Sequence, residues 1–484
     1  KEEVPREERE RLGIGDPETF DLHAYIEEKP FESRGKRWHY LNRKWHDDPV
    51  WNLFVCSKLR DSHTLFRALY RFCKEESVRR GRETVVAGNT IPVFPGRSLA
   101  SGGIDLPHFE YHVATKYGPL DAPLGLPPAG KLGPVVRLGA ALSSVGYCWP
   151  SAYVPKELSG PGHENLHKVM AFDCLANRGV LDYNHQYLDG YSPGSDESAG
   201  VVNVFIRALS EEFGRRRPVT EVAVVFPGQS LLAAVSVFTM DPEVSLYDYL
   251  GWAVALTDFH VQWEPVLDDR LTDESLRSAK AVILPSVHCL SDAQRDVLLR
   301  YAQAGGAVIV SGTAGQRYGI ERFLWYRQPE QSAEVWLDGH RVQFLAEPPG
   351  IRYYKDLAHR RDGRRAMTEA LGKALPDRIR SLAADAAADT GLYLYRSGDR
   401  FLTVDAVNYR VEPETDRLES SKPCIAVIRP PAGFVFAEGE ADLVTPEHSV
   451  PVPENRREAG EPIRAYPPVP FADWEMRADG SAEV

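Results

Sequence analysis

The chain has 484 residues, of which 43% are hydrophobic and 26% charged, and its formal net charge is −12. That length exceeds what one ordinary core supports, so two to four domains are expected. The acidic balance, with both signs mixed along the chain, speaks against nucleic acid or an anionic membrane as the main partner.

No apolar run reaches the roughly 18 residues needed to span a bilayer. The six cysteines, Cys56, Cys73, Cys148, Cys174, Cys289 and Cys424, form no C-x-x-C pair and have no His at metal-ligand spacing. They read as scattered reduced thiols, so no metal and no cofactor is expected, and the expected compartment is the cytoplasm. The opening text, KEEVPREERERLGIGDPETFDL, reads as the end of a helix and a polar connection, which predicts a cut inside a longer protein.

In chain order, residues 1–48 are charged and broken by Pro and Gly, as in an insertion or a long loop. Apolar residues at helical spacing from Trp51 to Phe72 predict a helix over 49–80, stopped by Gly81. Three short apolar runs follow and read as strands: 84–89 (TVVAGN), 104–112 (IDLPHFEYH) and 134–142 (PVVRLGAAL). A helix over 163–176 leads to a fourth run, 179–187 (GVLDYNHQY), and a helix over 199–213 closes the region. Repeated β-then-α units predict a parallel sheet with helices outside it, and four such units make half of a (β/α) barrel.

A boundary falls at 215–218 (RRRP). Beyond it, EVAVVFP, HVQWEPV, AVILPSV and AVIVSG alternate with helical stretches, the pattern of a doubly wound sheet. From 391 onward, short alternating strands with Gly and Pro turns predict a small β-sandwich. The expected layout is therefore α/β: a partial, catalytic-type (β/α) barrel over 1–217, a flavodoxin-like doubly wound domain over 218–345, a connecting segment over 346–390, and the sandwich over 391–484.

This order of domains resembles the β-galactosidases of glycoside hydrolase family 42, over nearly the whole chain. AVILPSVHCLSDAQRDVLLRYAQAGGAVIVSG resembles that family's strand, helix and Gly-Gly strand. There the middle domain is a class I glutamine amidotransferase-like fold serving trimerisation, so the resemblance implies a homo-oligomer, with a trimer possible. The four barrel runs resemble strands five to eight of a (β/α)8 barrel. The resemblance then implies a carbohydrate substrate and a general acid/base Glu at the end of strand four, upstream of Lys1. It also implies a nucleophilic Glu on the seventh strand, where PVVRLGAAL has Gly139, and no Asp or Glu stands between Asp121 and Glu157. The implied function is hydrolysis of glycosidic bonds in oligosaccharides. The alternative is a non-catalytic carbohydrate-binding or assembly protein with a degenerate glycosidase fold. A weaker reading, amidotransferase or esterase chemistry in the middle domain, meets a Thr313 near the elbow position and no His-x-Glu downstream.

Glycosidases work with a pair of carboxyl groups, and barrel enzymes place such groups at the C-terminal ends of strands. Glu110 is the best-placed acid, near the end of the presumed sixth strand, with His108 and His112 two residues to either side on the same face. It is the catalytic candidate; hydrogen bonding to sugar hydroxyls is its other reading. Asp105 opens that strand and reads as structural. Asn89 ends the presumed fifth strand, where it binds a hydroxyl or caps a turn. Arg137, inside a presumed strand, is either paired or exposed at the barrel mouth. Tyr147 and Trp149 follow the presumed seventh strand, in a position to stack on a sugar face or to pack. Asp182, His185 and Gln186 lie on or after the presumed eighth strand, the last two as substrate contacts.

Overall fold

The computed structural model describes residues 6–16, 19–21, 24–25, 49–90, 103–112, 132–153, 163–183, 193–231, 242–312, 317–318, 321–322, 333–337, 340–355, 361–374, 381–384, 386, 389–398, 401–412, 415–419, 425–430, 436, 441–444, 450–451, 464–465, 469–471, 475–476 and 482–483. Helix α1 (Pro49–Arg79) ends where expected. Gly81 turns at φ 62°, its N–H donating to the Val78 carbonyl at 3.0 Å, while the Arg82 N–H donates to that of Ser77 at 3.0 Å. A left-handed glycine closing the last carbonyls is a common helix stop.

Four parallel strands follow, β1 (Ala87–Asn89), β2 (Leu106–His112), β3 (Trp149–Tyr153) and β4 (Asp182–Tyr183), hydrogen-bonded in that order. Helix α2 (Gly133–Leu142) connects β2 to β3, α3 (Glu164–Ala176) connects β3 to β4, and α4 (Pro193–Ala208) follows β4. Parallel neighbours need such crossovers, and their helices cover one face of the sheet. The arrangement is that of a partial barrel-like sheet.

One expected strand is a helix. Residues 134–142 form α2, and the strand taking that place in the sheet is Trp149–Tyr153. A uniformly apolar run carries neither period, so length and caps decide. Here the run extends to 10 residues, with a proline in its first turn. The buried Asp173 carboxylate on α3 then accepts the Leu132 N–H at 2.5 Å and the Gly133 N–H at 3.2 Å, placing negative charge at the helix start. Gly139 is where α2 meets the sheet. A Cβ there would lie 2.6 Å from the Phe109 ring and 3.0 Å from Cys148 Sγ, so the glycine serves close packing.

The boundary expected at 215–218 coincides with a short strand, β5 (Arg216–Pro218), which joins the C-terminal domain. Beyond it lie β6 (Val222–Phe226), α6 (Pro242–Asp258), β7 (Trp263–Leu267), β8 (Ala281–Pro285), α7 (Asp292–Gln303), β9 (Ala307–Ser311) and the hairpin of β10 (Ala333–Leu337) and β11 (His340–Leu345). Here the helix before α6 in chain order, Ser210–Arg215, is α5. These strands make one sheet in the order β10-β11-β9-β8-β6-β7, parallel except for β10. The order second–first–third–fourth is flavodoxin-like. Both β6 and β8 are buried along their whole length, as parallel strands covered on two faces are. Val222, Val224 and Phe226 pack with α6, whereas Ala223 and Val225 share a core with Val297 and Leu298 of α7.

Residues 346–390, expected as a connection, contribute two helices to this domain, α8 (Pro349–Lys355) and α9 (Arg361–Ala374). Tyr354 stacks on Tyr247 with centroids 5.5 Å apart, and the Tyr353 hydroxyl donates to Asp258 at 2.6 Å. Last come β12 (Leu382–Ala384), β13 (Thr390–Ser397), β14 (Phe401–Asn408), β15 (Val411–Glu412), β16 (Arg417–Leu418), β17 (Ala426–Ile428), β18 (Glu475–Met476) and β19 (Ala482–Glu483). Two antiparallel sheets, β12-β17-β19-β18 and β14-β13-β5, meet through Leu382, Ala426 and Ile428 against Leu392 and Leu394. Among the described residues, no helix is long and apolar enough to cross a membrane.

Candidate active site on the inner face of the parallel sheet

The ladder fixes which residues share a rung. Asn89 pairs with His108, and His108 pairs with Trp149. Further toward the C-terminal tips, Glu110 pairs with Ser151 and Ser151 with Asp182, while His112 pairs with Tyr153. Side chains alternate between faces along a strand. Phe109 packs toward α2, so His108 projects from the opposite face, and its rung partner Trp149 with it.

On that face the His108 and Trp149 rings meet edge-on with centroids 4.9 Å apart, and His108 Nε2 lies 3.9 Å from Asp182 Oδ2. Trp149 is 39% exposed. An open aromatic beside an imidazole and a carboxylate offers both surfaces that sugars use, an apolar plane and charged hydrogen-bonding groups. Ser151 is completely buried, and its hydroxyl has no hydrogen-bond partner among the described residues. No group of three or more His, Cys, Asp or Glu among the described residues could hold a metal ion.

The foot of the sheet is structural, as Asp105 leads one to expect. Its carboxylate accepts from Tyr70 at 2.7 Å, Ser144 at 2.5 Å and the Val86 N–H at 2.9 Å, and pairs with Lys74 at 2.5 Å. Burial alone would raise the Asp105 carboxyl, but Lys74, Ser144, Val86 and Tyr70 together hold it well below the usual carboxylate range. It ties α1, β1 and the loop before β3 to one point.

Three expectations need correction. Arg137 lies on α2 rather than on a strand, 4% exposed against the middle domain, and of its two readings the paired one holds. Its Nε donates to Asn177 at 2.6 Å, Nη1 donates to the Trp263 carbonyl, and its plane lies over the rings of Trp263 and Tyr393 at 4.8 and 5.1 Å. Those contacts make it part of the joint with the middle domain. Tyr147 precedes β3 rather than following a strand, and its hydroxyl donates to the Phe213 carbonyl, away from the C-terminal tips. Trp149 likewise opens β3, but its rung places it beside His108. Gly139, in a helix, does not stand in for a nucleophile. His185 and Gln186 lie outside the described residues.

Sequence reasoning passed over Ser151. The signal was WPSAY, where Trp, Ser and Tyr alternate with Pro and Ala in the period of a strand. Assigning 134–142 as the strand had already used up that place in the sheet.

The middle domain has a polar cluster of its own at the ends of β8 and β9. Ser286, at φ 45°, donates to Asp248 at 3.0 Å; Ser311 donates to the same carboxylate at 3.1 Å and accepts from Trp252 at 3.0 Å. All four side chains are buried. Burial pushes the Asp248 carboxyl up to about 7, with Ser311 and Ser286 pulling it down. Cys289 is also buried, its N–H donating to Ser230 at 3.0 Å, and Thr313 lies outside the described residues. These four side chains satisfy one another's hydrogen bonds inside the domain.

The chain thus combines a parallel βα sheet, a flavodoxin-like parallel sheet and two packed antiparallel sheets. No family model and no curated protein matches the sequence. Among solved structures, Gan42B, a GH42 β-galactosidase from G. stearothermophilus, is similar with a TM-score of 0.57 at 11% identity, covering 89% of this chain and 69% of that one. The β-galactosidase from Bacillus circulans sp. alkalophilus matches with a TM-score of 0.48 at 10% identity, covering 75% of this chain and 65% of that one. That from the Antarctic haloarchaeon Halorubrum lacusprofundi matches with 0.45 at 14%, covering 83% and 73%. The chain spans 65% of the length of the Bacillus circulans enzyme and 55% of that of an exo-carrageenase GH42 from Bacteroides ovatus. The likeness to Gan42B shows that this chain has a β-galactosidase-like fold.

Proposed function

We propose that this protein is a β-galactosidase-like glycoside hydrolase that cleaves glycosidic bonds of oligosaccharides on the inner face of β1–β4. The observation that supports the reading is the gathering of Asn89, His108, Trp149 and Asp182 on one side of a parallel sheet in a β-galactosidase-like fold. Trp149 stacks on the sugar, and Asn89, His108 and His112 bind its hydroxyls. Glu110 takes part in the reaction, beside a general acid that the family resemblance expects on a preceding barrel strand. The middle domain is an amidotransferase-like scaffold that assembles a homo-oligomer, a trimer by the same resemblance.

The test is turnover of a panel of aryl glycosides and oligosaccharides by the intact, folded protein. Hydrolysis of none of them removes the enzymatic reading. Glu110→Gln is expected to lower kcat by orders of magnitude; a change confined to KM makes Glu110 a binding residue instead.

One observation favours a second reading, sugar binding without cleavage: β3, which takes the seventh place, carries no carboxylate in WPSAY. Calorimetric binding of an oligosaccharide that is never hydrolysed supports that reading.

A further inference from the structure

Asp182 brings a negative charge to the inner face that its neighbours there do not neutralise. Its Oδ2 lies 3.9 Å from His108 Nε2, beyond hydrogen-bond reach, and among the described residues that imidazole is its one ionic neighbour. Both side chains are partly exposed. The same His108 ring meets Trp149 edge-on with centroids 4.9 Å apart, and the Trp149 side chain is open to solvent. A carboxylate, an imidazole and an indole thus stand side by side on one face. An ionised carboxylate only accepts hydrogen bonds. A sugar hydroxyl offers it one proton, whereas an ammonium group offers three together with a full positive charge. Hydrogen bonds assisted by charge are roughly twice as strong as neutral ones. The indole face attracts a cation as well. A formal net charge of −12 gives the whole chain a field of the sign that draws cations in.

We propose that His108, Trp149 and Asp182 form a subsite for an amino sugar, with the pyranose ring against the Trp149 indole and its ammonium group donating to the Asp182 carboxylate beside His108. The inference rests on reading the inner face as a sugar site, and it narrows the ligand to glycosides whose sugar carries a free amine. Acetylating that amine removes the charge and two of the three donors, so the N-acetyl sugar loses the advantage. A uronate or sulfate brings a second negative charge toward Asp182 and is rejected by repulsion.

Titration calorimetry on the intact wild-type protein tests this with three probes, the methyl β-glycosides of galactosamine, galactose and N-acetylgalactosamine. The galactosamine glycoside is expected to bind about tenfold more tightly than the galactose glycoside, the scale of a charge-assisted contact to a partly exposed carboxylate. The N-acetyl glycoside should bind no better than the galactose glycoside. Raising the salt to about 0.5 M should shrink the preference, because screening weakens an exposed ion pair. Asp182→Asn should erase the preference and Asp182→Glu should keep it, whereas a merely structural Asp182 would move all three affinities alike. Equal affinity for the galactosamine and galactose glycosides in wild type overturns the inference. So does a failure to bind any of the three, or a preference that survives in folded Asp182→Asn. The ratio is read on wild type, so misfolding of a variant does not remove the test. Hydrolysis of aryl galactosides with no preference for the amine overturns the subsite and leaves the glycosidase reading standing. Amine-selective binding without turnover of any glycoside supports the subsite and removes the enzymatic reading.

Discussion

Replacing Gly139 by alanine tests the reassignment of residues 134–142 from strand to helix. In a helix the change is intrinsically favourable by about 1 kcal/mol, because glycine spends more backbone entropy on ordering. Against that stands the site: the new Cβ would meet the Phe109 ring at 2.6 Å and Cys148 Sγ at 3.0 Å. Phe109 is 1% exposed and Cys148 fully buried, so neither can swing aside into solvent. Overpacking of a filled core costs about 1–3 kcal/mol. The expected net effect of Gly139→Ala is therefore a loss of up to about 2 kcal/mol, read as a lower urea midpoint at unchanged slope. Phe109→Leu in the same chain should recover part of that loss, with a coupling of about 0.5–2 kcal/mol. Gly139→Glu adds a buried carboxylate without a partner and should prevent folding. A more stable Gly139→Ala, or a folded Gly139→Glu that gains hydrolytic activity, would refute the packing described around α2.

Arg137→Met leaves the Asn177 oxygen and the Trp263 carbonyl without a buried donor, so a loss of about 2–5 kcal/mol in urea unfolding is expected, with sugar affinity unchanged. Weakened affinity in a variant of full stability would return Arg137 to the site. Tyr147→Phe should cost about 1 kcal/mol and leave kcat and KM alone; a raised KM contradicts its placement before β3. Burial pushes both the Asp248 and Asp268 carboxyls from 3.8 up to about 7, so the folded chain holds these protons where the unfolded chain has lost them. Their contribution is complete below about pH 4 and is lost as pH rises through about 7, on the order of 4 kcal/mol each. The urea midpoint should thus fall between about pH 4 and 7, and Asp248→Asn should flatten that fall. An equally steep fall in the variant would show that Asp248 does not carry it.

The sequence announced most of the layout because two signals are local. Continuous apolar strands such as VAVVF and AVILP, separated by helices capped at Ser291 and stopped at Gly305, can be read as a doubly wound sheet from composition alone. What misled was PVVRLGAAL. Its apolar character serves burial against two bodies at once, the sheet through Phe109 and the middle domain through Trp263, and burial on all sides erases periodicity. The error propagated to the site. Taking that run as a strand moved Tyr147 and Trp149 to the wrong end, gave Gly139 a chemical meaning, and hid Ser151. His108 and Glu110 fall on one strand as expected because IDLPHFEYH alternates as a one-sided strand should. Residues 346–390 escaped because their partners, Tyr247 and Asp258, are distant in sequence and invisible to any local pattern.

The joint between the units bears on the inner face of the β1–β4 sheet more directly than their separate folds do. Asp173 caps α2, and its other oxygen accepts from Tyr409 and, at 3.2 Å, from Tyr393, both on the sandwich. Asp416, from the β15–β16 hairpin, accepts the Asn165 and Leu166 N–H groups at 2.8 Å each and so caps α3. The two crossover helices that set β3 and β4 in register are thus started by carboxylates whose positions depend on the C-terminal domain. Arg137 and Arg178 then fasten the same helices to the Trp263–Glu264 step of β7. Since His108, Trp149, Ser151 and Asp182 owe their mutual geometry to the β2–β3–β4 register, a change at Tyr409 or Asp416 should disturb the inner face while touching none of its residues. The sandwich and the doubly wound domain thus brace the β2–β3–β4 register from outside the sheet.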